Sequence, residues 1–238
     1  MAFKNKFQIN YWLRKIYTSK LFQLLPINQF NLRKKVFTSI YKSNHWVQNG
    51  SNLPNQCVSV SGHGSNTNTK QHELLVQNFT GIIKKYKINS ILDMPCGDFL
   101  WIKEIIKQNQ IKYLGIDIVD ELIKNNLNLY KSNNIDFKSK DILDFKESIY
   151  FDLIIIRDLF IHINNSQILK ILNNLKTLKY KYLALTSYDN KKNNDVIIGQ
   201  HRKINLLISP FNLKKPNCSF KDYENDKYIY IYEKNNFF

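Results

Sequence analysis

The chain has 238 residues, of which 43% are hydrophobic, so it can bury a sizeable core and wholesale disorder is excluded. Its formal net charge of +16 favours anionic partners such as phosphorylated small molecules, nucleic acid or a membrane surface, although a lysine- and asparagine-rich proteome explains the charge as readily. Three cysteines without a CxxC pair indicate a reducing compartment, and we expect a cytoplasmic protein. No uncharged apolar run approaches the length of a membrane span.

Residues 1–48 are basic and aromatic, and their apolar residues recur at helical spacing. The pattern predicts two or three short amphipathic helices, interrupted at Pro26, and we assign residues 1–58 to a basic helical cap. These helices either cover one edge of the core or, because lysines and arginines flank the aromatic residues, lie on a membrane surface. Charges every few residues are not the pattern of a secretory signal.

Glycine, serine, asparagine and proline dominate residues 49–70, which we predict to form a loop. A helix begins near Gln71, and apolar strands then alternate with amphipathic helices, which indicates βαβ units and a parallel sheet. The last two predicted strands, within residues 217–234, are typical of an antiparallel pair. Over residues 59–238 we therefore predict an α/β fold: a Rossmann-like seven-stranded, mostly parallel sheet with helices on both faces and the N-terminal helical cap.

The turn after the first predicted strand has the sequence ILDMPCGDF, residues 91–99, and we predict the next helix to begin near its end. It has one glycine, Gly97, where dinucleotide-binding turns need the GxGxxG spacing that lets a pyrophosphate reach a helix N-terminus. Two carboxylates, Asp93 and Asp98, would repel a pyrophosphate, so the turn favours a cofactor with cationic or hydroxyl groups. Cys96 lacks a histidine or lysine partner in sequence and is interpreted as a packed thiol rather than a nucleophile.

Acidic residues end three successive predicted strands, with 24 positions between Asp93 and Asp117 and 24 more to Asp141. At the end of the second strand, an acid can accept hydrogen bonds from both ribose hydroxyls. At the end of the third, an acid can accept one from an exocyclic adenine amine. Each acid alone is as readily a helix cap, but the ordered set predicts an adenosyl ligand without phosphate.

With these motifs the chain resembles the class I S-adenosylmethionine-dependent methyltransferases, and within them a bacterial branch with an LDxPCGDFxW motif, often associated with capsule and other surface-glycan loci. The resemblance runs from about Trp46 to the C-terminus and includes the loop SGHGS at residues 61–65. It implies S-adenosyl-L-methionine as the cofactor. The residues implied to bind it are Ser61, Gly64, Ser65, Thr69, Asp93, Pro95, Cys96, Gly97, Asp98, Trp101, Asp117, Ile118, Asp141, Ile142 and Arg157.

The fourth predicted strand ends in RDLFIH, residues 157–162, where the resemblance places the methyl group. Arg157, Asp158 and His162 are therefore the candidate catalytic residues. His162 is the candidate general base, since its unperturbed pKa lies near neutral, and the alternative is a histidine that caps a helix or walls the pocket. Arg157 either binds an anionic acceptor bidentately or pairs with Asp158 and shapes the loop.

Residues 190–215 follow the fifth strand, resemble a stretch shared by the branch and are interpreted as a substrate lid. His45, Trp46 and His201 are expected on loops that border the site. We expect no metal site, because His63 and His72 have no further ligands at suitable spacing. The candidate acceptor-binding residues are His63, Phe160, Tyr188, Asn194, Gly199, Arg202 and Asn205.

The function expected from these features is O-methylation of a small anionic acceptor, namely a sugar or capsule precursor that carries a phosphate or a nucleotide. The net charge also suits an RNA methyltransferase, but RDLF replaces the Pro-Pro motif of base-amino methylases and no RNA-binding module is recognisable. A non-catalytic S-adenosylmethionine-binding protein is the third alternative. Such a scaffold would not need the complete series of strand-end acids.

Overall fold

The computed structural model describes residues 2–25, 28–47, 53–222 and 226–237, with side chains from Gln8 onwards. Its helices and strands alternate along most of the chain, as the sequence predicts. In chain order they are α1 (Ala2–Tyr17), α2 (Lys20–Gln23), α3 (Gln29–Lys42), α4 (Lys70–Tyr86), β1 (Ser90–Asp93), α5 (Lys103–Gln108), β2 (Lys112–Asp117), α6 (Asp120–Tyr130), β3 (Ile135–Ser139), β4 (Tyr150–Ile156), α7 (Asn165–Asn174), β5 (Lys179–Tyr188), β6 (Cys218–Lys221), β7 (Lys227–Glu233) and α8 (Lys234–Phe237).

The strands form one seven-stranded sheet in the order β3-β2-β1-β4-β5-β7-β6. Strands β1 to β5 are parallel, and β7 is antiparallel to both β5 and β6. The predicted Rossmann-like fold and its closing antiparallel pair are thus confirmed. The chain runs outward from β1 through β2 to β3 and then returns to β4 on the other side of β1. Ligands of open α/β sheets bind at such a switch point, beyond the carboxyl ends of the strands.

Successive residues of the central strands belong to two cores on opposite faces of the sheet. In β4, Ile154 and Ile156 pack into one core, whereas Leu153 and Ile155 pack into the other. This division follows from the two-residue period of a strand. Helix α7 covers the first core, and helices α4 and α5 cover the second. Because both faces are buried, β4 is apolar without alternation.

The turn after β1 is longer than predicted. Helix α5 begins only at Lys103, because Gly97 and Phe99 have φ angles of 54° and 62° and do not continue a right-handed helix. The Phe99 ring is buried between Tyr113 and Phe137, at centroid distances of 4.8 and 5.3 Å. This packing holds the residue in its left-handed conformation. A side chain at Gly97 would also meet the Ser61 hydroxyl, so the turn and the preceding loop fit together only around glycine.

Helices α1 to α3 confirm the predicted N-terminal helices, whereas Pro26 and residues 48–52 lie outside the described residues. Helix α3 packs on the predicted lid, where Val36 and Ile40 form a small core with Ile198. The Gln23 amide also donates to Ile198 O at 2.8 Å and accepts from Ile198 N at 2.9 Å. The cap is therefore joined to the lid, and the domain boundary at residue 58 stays a prediction. Within the described ranges, no helix has the length and apolar character of a membrane span.

Candidate active site

A cleft opens at the carboxyl ends of β1, β2 and β4 and is covered by α3. It brings together eleven of the fifteen predicted cofactor residues: Ser61, Ser65, Pro95, Cys96, Gly97, Trp101, Asp117, Ile118, Asp141, Ile142 and Arg157. The sequence analysis missed the wall that α3 supplies, formed by Arg33, Phe37 and Tyr41. Cys96 is buried, and burial raises the pKa of its thiol well above the usual value, which favours the interpretation as a packing residue.

Asp117 ends β2 at the middle of this cleft. Its Oδ1 accepts from Val119 N at 3.0 Å, and its Oδ2 accepts from Gly97 N at 3.3 Å. Each carboxylate oxygen can accept a further bond, so the pair suits a vicinal diol such as a ribose. Burial raises the pKa of Asp117 to about 6.

Asp141 lies in the cleft but is already paired. Its Oδ2 is 2.7 Å from Nε and 2.6 Å from Nη2 of Arg33, and its Oδ1 accepts from Leu143 N at 3.0 Å. An adenine amine would have to share this carboxylate with α3. The sequence contains one signal for this contact. Arg33 is a charged residue within the apolar stripe of a predicted helix, between Leu32 and Val36.

Four predicted cofactor residues do not line the cleft itself, and their contact with a cofactor stays a prediction. Asp98 points away and accepts from Ser59 Oγ at 2.9 Å and Val60 N at 2.9 Å, so it holds the preceding loop. Thr69 caps α4, and Gly64 lines a neighbouring cavity. Asp93 is fully buried beneath the cleft.

The Asp93 carboxylate is only partly satisfied. Its Oδ2 accepts from Tyr113 Oη at 2.8 Å, whereas Oδ1 has no hydrogen-bond partner among the described residues. Burial raises the pKa of Asp93 to about 7. A cationic ligand above the turn would stabilise the ionised form, which fits the sulfonium and amino groups of S-adenosylmethionine.

The raised pKa of Asp93 predicts that the ligand-free protein loses stability as pH rises. The folded state binds this proton more tightly than the unfolded state, so the contribution is complete below about pH 4 and is lost as pH rises through about 7. Asp117 acts in the same direction up to about pH 6. At about 1.4 kcal/mol per pKa unit, the loss amounts to a few kcal/mol. Urea unfolding across this range measures it. Asp93→Asn should flatten the dependence, and an equal slope in this variant would contradict the assignment.

A second cavity of about 610 Å³ adjoins the cleft. Trp46, Ser61, Asp158 and His162 line both spaces and mark their junction. The second cavity also contains three of the predicted acceptor residues, His63, Tyr188 and Gly199, and the expected bordering residues His45 and His201. Four of the five histidines of the chain therefore face one cavity. We call it the acceptor cavity.

Arg157 is fully engaged by the protein, which favours its alternative role of shaping the loop over binding an anionic acceptor. Its Nε donates to Asp222 Oδ2 at 3.2 Å, Nη1 to Ser65 Oγ at 3.1 Å and Nη2 to Gly64 O at 2.8 Å. The guanidinium also lies 5.0 Å from the Trp101 ring centroid. Arg157 therefore fixes the SGHGS loop against the sheet. This role resembles the alternative considered from the sequence, in which Arg157 pairs with Asp158 and shapes the loop.

Lys227, from β7, completes a buried network below the acceptor cavity. Its Nζ lies 2.9 Å from Asp158 Oδ1 and 3.0 Å from Asp222 Oδ2. Burial alone would raise the pKa of Asp158, but Lys227 and Arg157 hold it below its ordinary value. Two cations thus face two carboxylates, and their charges cancel. The sequence analysis missed Lys227 and Asp222, which lie more than 60 residues from Asp158 in the chain.

His162 occupies the junction of cleft and cavity. Its Nδ1 lies 3.0 Å from Gln200 O, and because a carbonyl only accepts, Nδ1 must carry the proton. Nε2 is then unprotonated in the neutral ring and can accept a proton. The Trp46 ring stacks on the imidazole at 4.6 Å and fixes its plane. Burial lowers the pKa of His162 to about 4, which corrects the near-neutral value expected from sequence.

Arg202 does not line the acceptor cavity, and its contact with the acceptor stays a prediction. Its Nε donates to Asn194 O at 2.9 Å, Nη1 to Phe160 O at 2.6 Å and Nη2 to Asn165 Oδ1 at 2.9 Å. These bonds tie the lid to the start of α7. Asn205 likewise donates to Asn190 O at 3.0 Å within the lid. Asn194, Asn205 and the buried Phe160 are all absent from the cavity wall.

Arg14, from α1, is the cation of the acceptor cavity without a balancing carboxylate. Its Nη1 is 3.4 Å from His45 Nε2, and its Nε has no hydrogen-bond partner among the described residues. Among the described residues, no carboxylate lies within ion-pair distance of the Arg14 guanidinium. The cavity therefore keeps one uncompensated positive charge.

Residues 91–179 match a family described as a methyltransferase domain. No curated protein matches the chain at a significant level. The N-methyltransferase NodS from Bradyrhizobium japonicum WM9, in complex with S-adenosyl-L-homocysteine, superposes with a TM-score of 0.56 at 14% identity, over 82% of this chain and 97% of that one.

Two further solved structures share this fold. PH0226 from Pyrococcus horikoshii OT3 has a TM-score of 0.52 at 15% identity, over 70% of this chain and 92% of that one. The 1,6-didemethyltoxoflavin-N1-methyltransferase of Burkholderia thailandensis, with bound 1,6-didemethyltoxoflavin and S-adenosylhomocysteine, has a TM-score of 0.51 at 11% identity, over 67% and 77%. At identities this low, the structural likeness shows that the fold is shared and nothing about the acceptor.

The chain has the Rossmann-like methyltransferase fold, and within it residues 91–179 match a methyltransferase domain. Two of these solved structures contain S-adenosylhomocysteine, which agrees with the S-adenosylmethionine expected from the sequence. The matched segment runs from β1 to the first residue of β5 and contains most of the cleft. The description of the matching family names no acceptor. The relation of the chain to the capsule-associated branch stays a prediction.

Proposed function

We propose that the protein O-methylates an anionic acceptor, specifically a sugar or capsule precursor that carries a phosphate or a nucleotide. The observation that supports an anionic acceptor is the uncompensated charge of Arg14 in the acceptor cavity. An acceptor phosphate would balance this charge and supply the missing partner of Arg14 Nε. The proposal of a glycan precursor rests on the resemblance of ILDMPCGDF to the motif of the capsule-associated branch.

When bound, S-adenosylmethionine supplies an electrophilic methyl group on a sulfonium and leaves as S-adenosylhomocysteine with the electron pair of the broken C–S bond. The chain contributes position and proton transfer. His162 is neutral near pH 7, and its Nε2 takes the proton that the acceptor hydroxyl loses as the oxygen–methyl bond forms. Trp46 and Gln200 hold the imidazole in the required tautomer and plane.

Methyl-labelled S-adenosylmethionine tests the proposal against a panel of nucleotide sugars, sugar phosphates, neutral sugars, amines and RNA. We expect label in O-methyl groups of the phosphate-bearing sugars. Label in RNA would support the nucleic-acid alternative, and label on an amine would overturn the assignment to oxygen. Cofactor binding without transfer to any class would support a non-catalytic protein.

Arg14→Gln is expected to raise KM for the anionic acceptor about 10- to 100-fold and to leave the cofactor Kd unchanged. The reason is the loss of a charged hydrogen bond, worth about 1.5–3 kcal/mol. Steady-state kinetics and calorimetry measure the two constants. Lys15→Gln is the matched control, because this substitution also removes one positive charge from α1, but from the exposed side of the helix. Equal KM values in both variants would exclude Arg14 as the anion-binding residue.

A further inference from the structure

Exposed apolar side chains are concentrated at the N-terminus. Eight of the thirteen large hydrophobic side chains that are exposed in the described part of the chain lie between residues 9 and 30. Six of them, 48–79% exposed, belong to α1, α2 and the turn after α2, and we call them the N-terminal apolar face. They are Ile9, Trp12, Ile16, Leu21, Leu24 and Leu25.

On α1 these side chains form a single stripe. Ile9, Trp12 and Ile16 are three and four residues apart and therefore lie on one side of the helix. Arg14 is two residues from both Trp12 and Ile16, which places it on the opposite side, where it lines the acceptor cavity. The stripe is thus directed away from the cavity and towards solvent.

The segment that carries this face has charged residues of one sign. The first 72 residues contain ten lysines and arginines, and the first acidic residue of the chain is Glu73. Lys15 Nζ lies 4.8 Å from the Tyr11 ring centroid and 5.2 Å from that of Trp12, so its charge sits at the edge of the apolar stripe. Lys20 is exposed at the start of α2.

We propose that the N-terminal apolar face binds the surface of a bilayer that contains anionic lipids. Its apolar side chains would enter the boundary between headgroups and acyl chains, while Lys15 and Lys20 remain among the phosphates. Tryptophan and tyrosine favour this depth. A second copy of the chain would bring two acid-free, positively charged surfaces together, and this repulsion favours the membrane as the occupant.

This orientation has a consequence for the acceptor cavity. Arg14 of α1 and Thr18, the residue that follows this helix, line that cavity, whereas the opposite side of α1 would lie on the bilayer. A helix is about 10–12 Å across, so the cavity would lie about one helix diameter from the lipid headgroups. Membrane binding by this face would be the same whichever acceptor the protein methylates.

Flotation of the full chain with phosphatidylcholine vesicles, with and without phosphatidylglycerol, tests the proposal. We expect binding to the anionic vesicles that weakens at high salt and a partition coefficient about tenfold or more lower on phosphatidylcholine alone. Trp12→Ser/Ile16→Ser should lower partition by about tenfold or more, and Lys15→Gln/Lys20→Gln should remove the lipid selectivity. Leu129→Ser is the matched control, since Leu129 is 69% exposed but lies on α6.

Binding of S-adenosylhomocysteine by every variant confirms that the fold is intact. The proposal is overturned if the wild type does not float with the anionic vesicles, or if Leu129→Ser lowers partition as much as the double serine variant. A lipid-free dimer that dissociates in Trp12→Ser/Ile16→Ser would assign the face to a second copy instead. Sedimentation velocity detects that dimer.

Discussion

Replacing Asp117 by alanine is expected to weaken S-adenosylmethionine binding about 10²- to 10⁴-fold. The Asp117 carboxylate can accept from both ribose hydroxyls while it keeps its bonds from Gly97 N and Val119 N. Hydrogen bonds to a charged group contribute about 1.5–3 kcal/mol each, and two are lost. Titration calorimetry measures the change. Affinity of the wild type should also fall as pH drops through about 6, because the protonated carboxyl accepts less well.

Two variants separate this ribose contact from a disturbance of the turn. Asp117→Asn keeps one acceptor oxygen, which can serve one of the two backbone donors, and loses the charge, so it should show an intermediate loss. Asp136→Ala removes a carboxylate that pairs with Lys131 at the surface of β3, and it should bind the cofactor normally. Wild-type affinity in Asp117→Ala, with the fold intact, would reject the assignment.

Replacing His162 by alanine is expected to lower the turnover number about 10²- to 10⁴-fold without changing cofactor affinity. The protonated Nδ1 donates to Gln200 O, so the unprotonated Nε2 is available to the acceptor hydroxyl. Because the pKa of His162 is lowered to about 4, the acid limb of the wild-type rate should lie near pH 4 rather than near 6.5. Single-turnover rates over this range measure it.

His201→Ala is the matched control for this prediction. It removes an imidazole from the same cavity, 5.7 Å from the His162 ring centroid, without removing the proton acceptor. We expect it to change KM more than turnover. If the acceptor oxygen is itself phosphoryl and already ionised, the loss in His162→Ala should be smaller and the acid limb weak. Unchanged turnover would leave His162 as a wall of the pocket.

The sheet and the positions of its acids could be predicted because both depend on short stretches of sequence. The apolar run of β4 and the acids after β1, β2 and β3 are local patterns, and parallel strands bring their carboxyl ends to one edge. The pairing of Arg33 with Asp141 spans 108 residues and depends on how α3 packs, which no local pattern records. The bonds of Arg202 could not be predicted for the same reason, since its partners Phe160 and Asn165 come from another part of the chain.

The acceptor cavity draws its walls from nearly the whole chain, from Arg14 to Lys227, whereas every residue that lines the cofactor cleft falls between 33 and 163. During synthesis, the residues of the cleft therefore emerge well before β7 delivers Lys227. Closing the contact between Gln23 and Ile198 also costs the entropy of a loop of 175 residues. A growing chain thus contains every residue that lines the cofactor cleft before it contains all those that line the acceptor cavity.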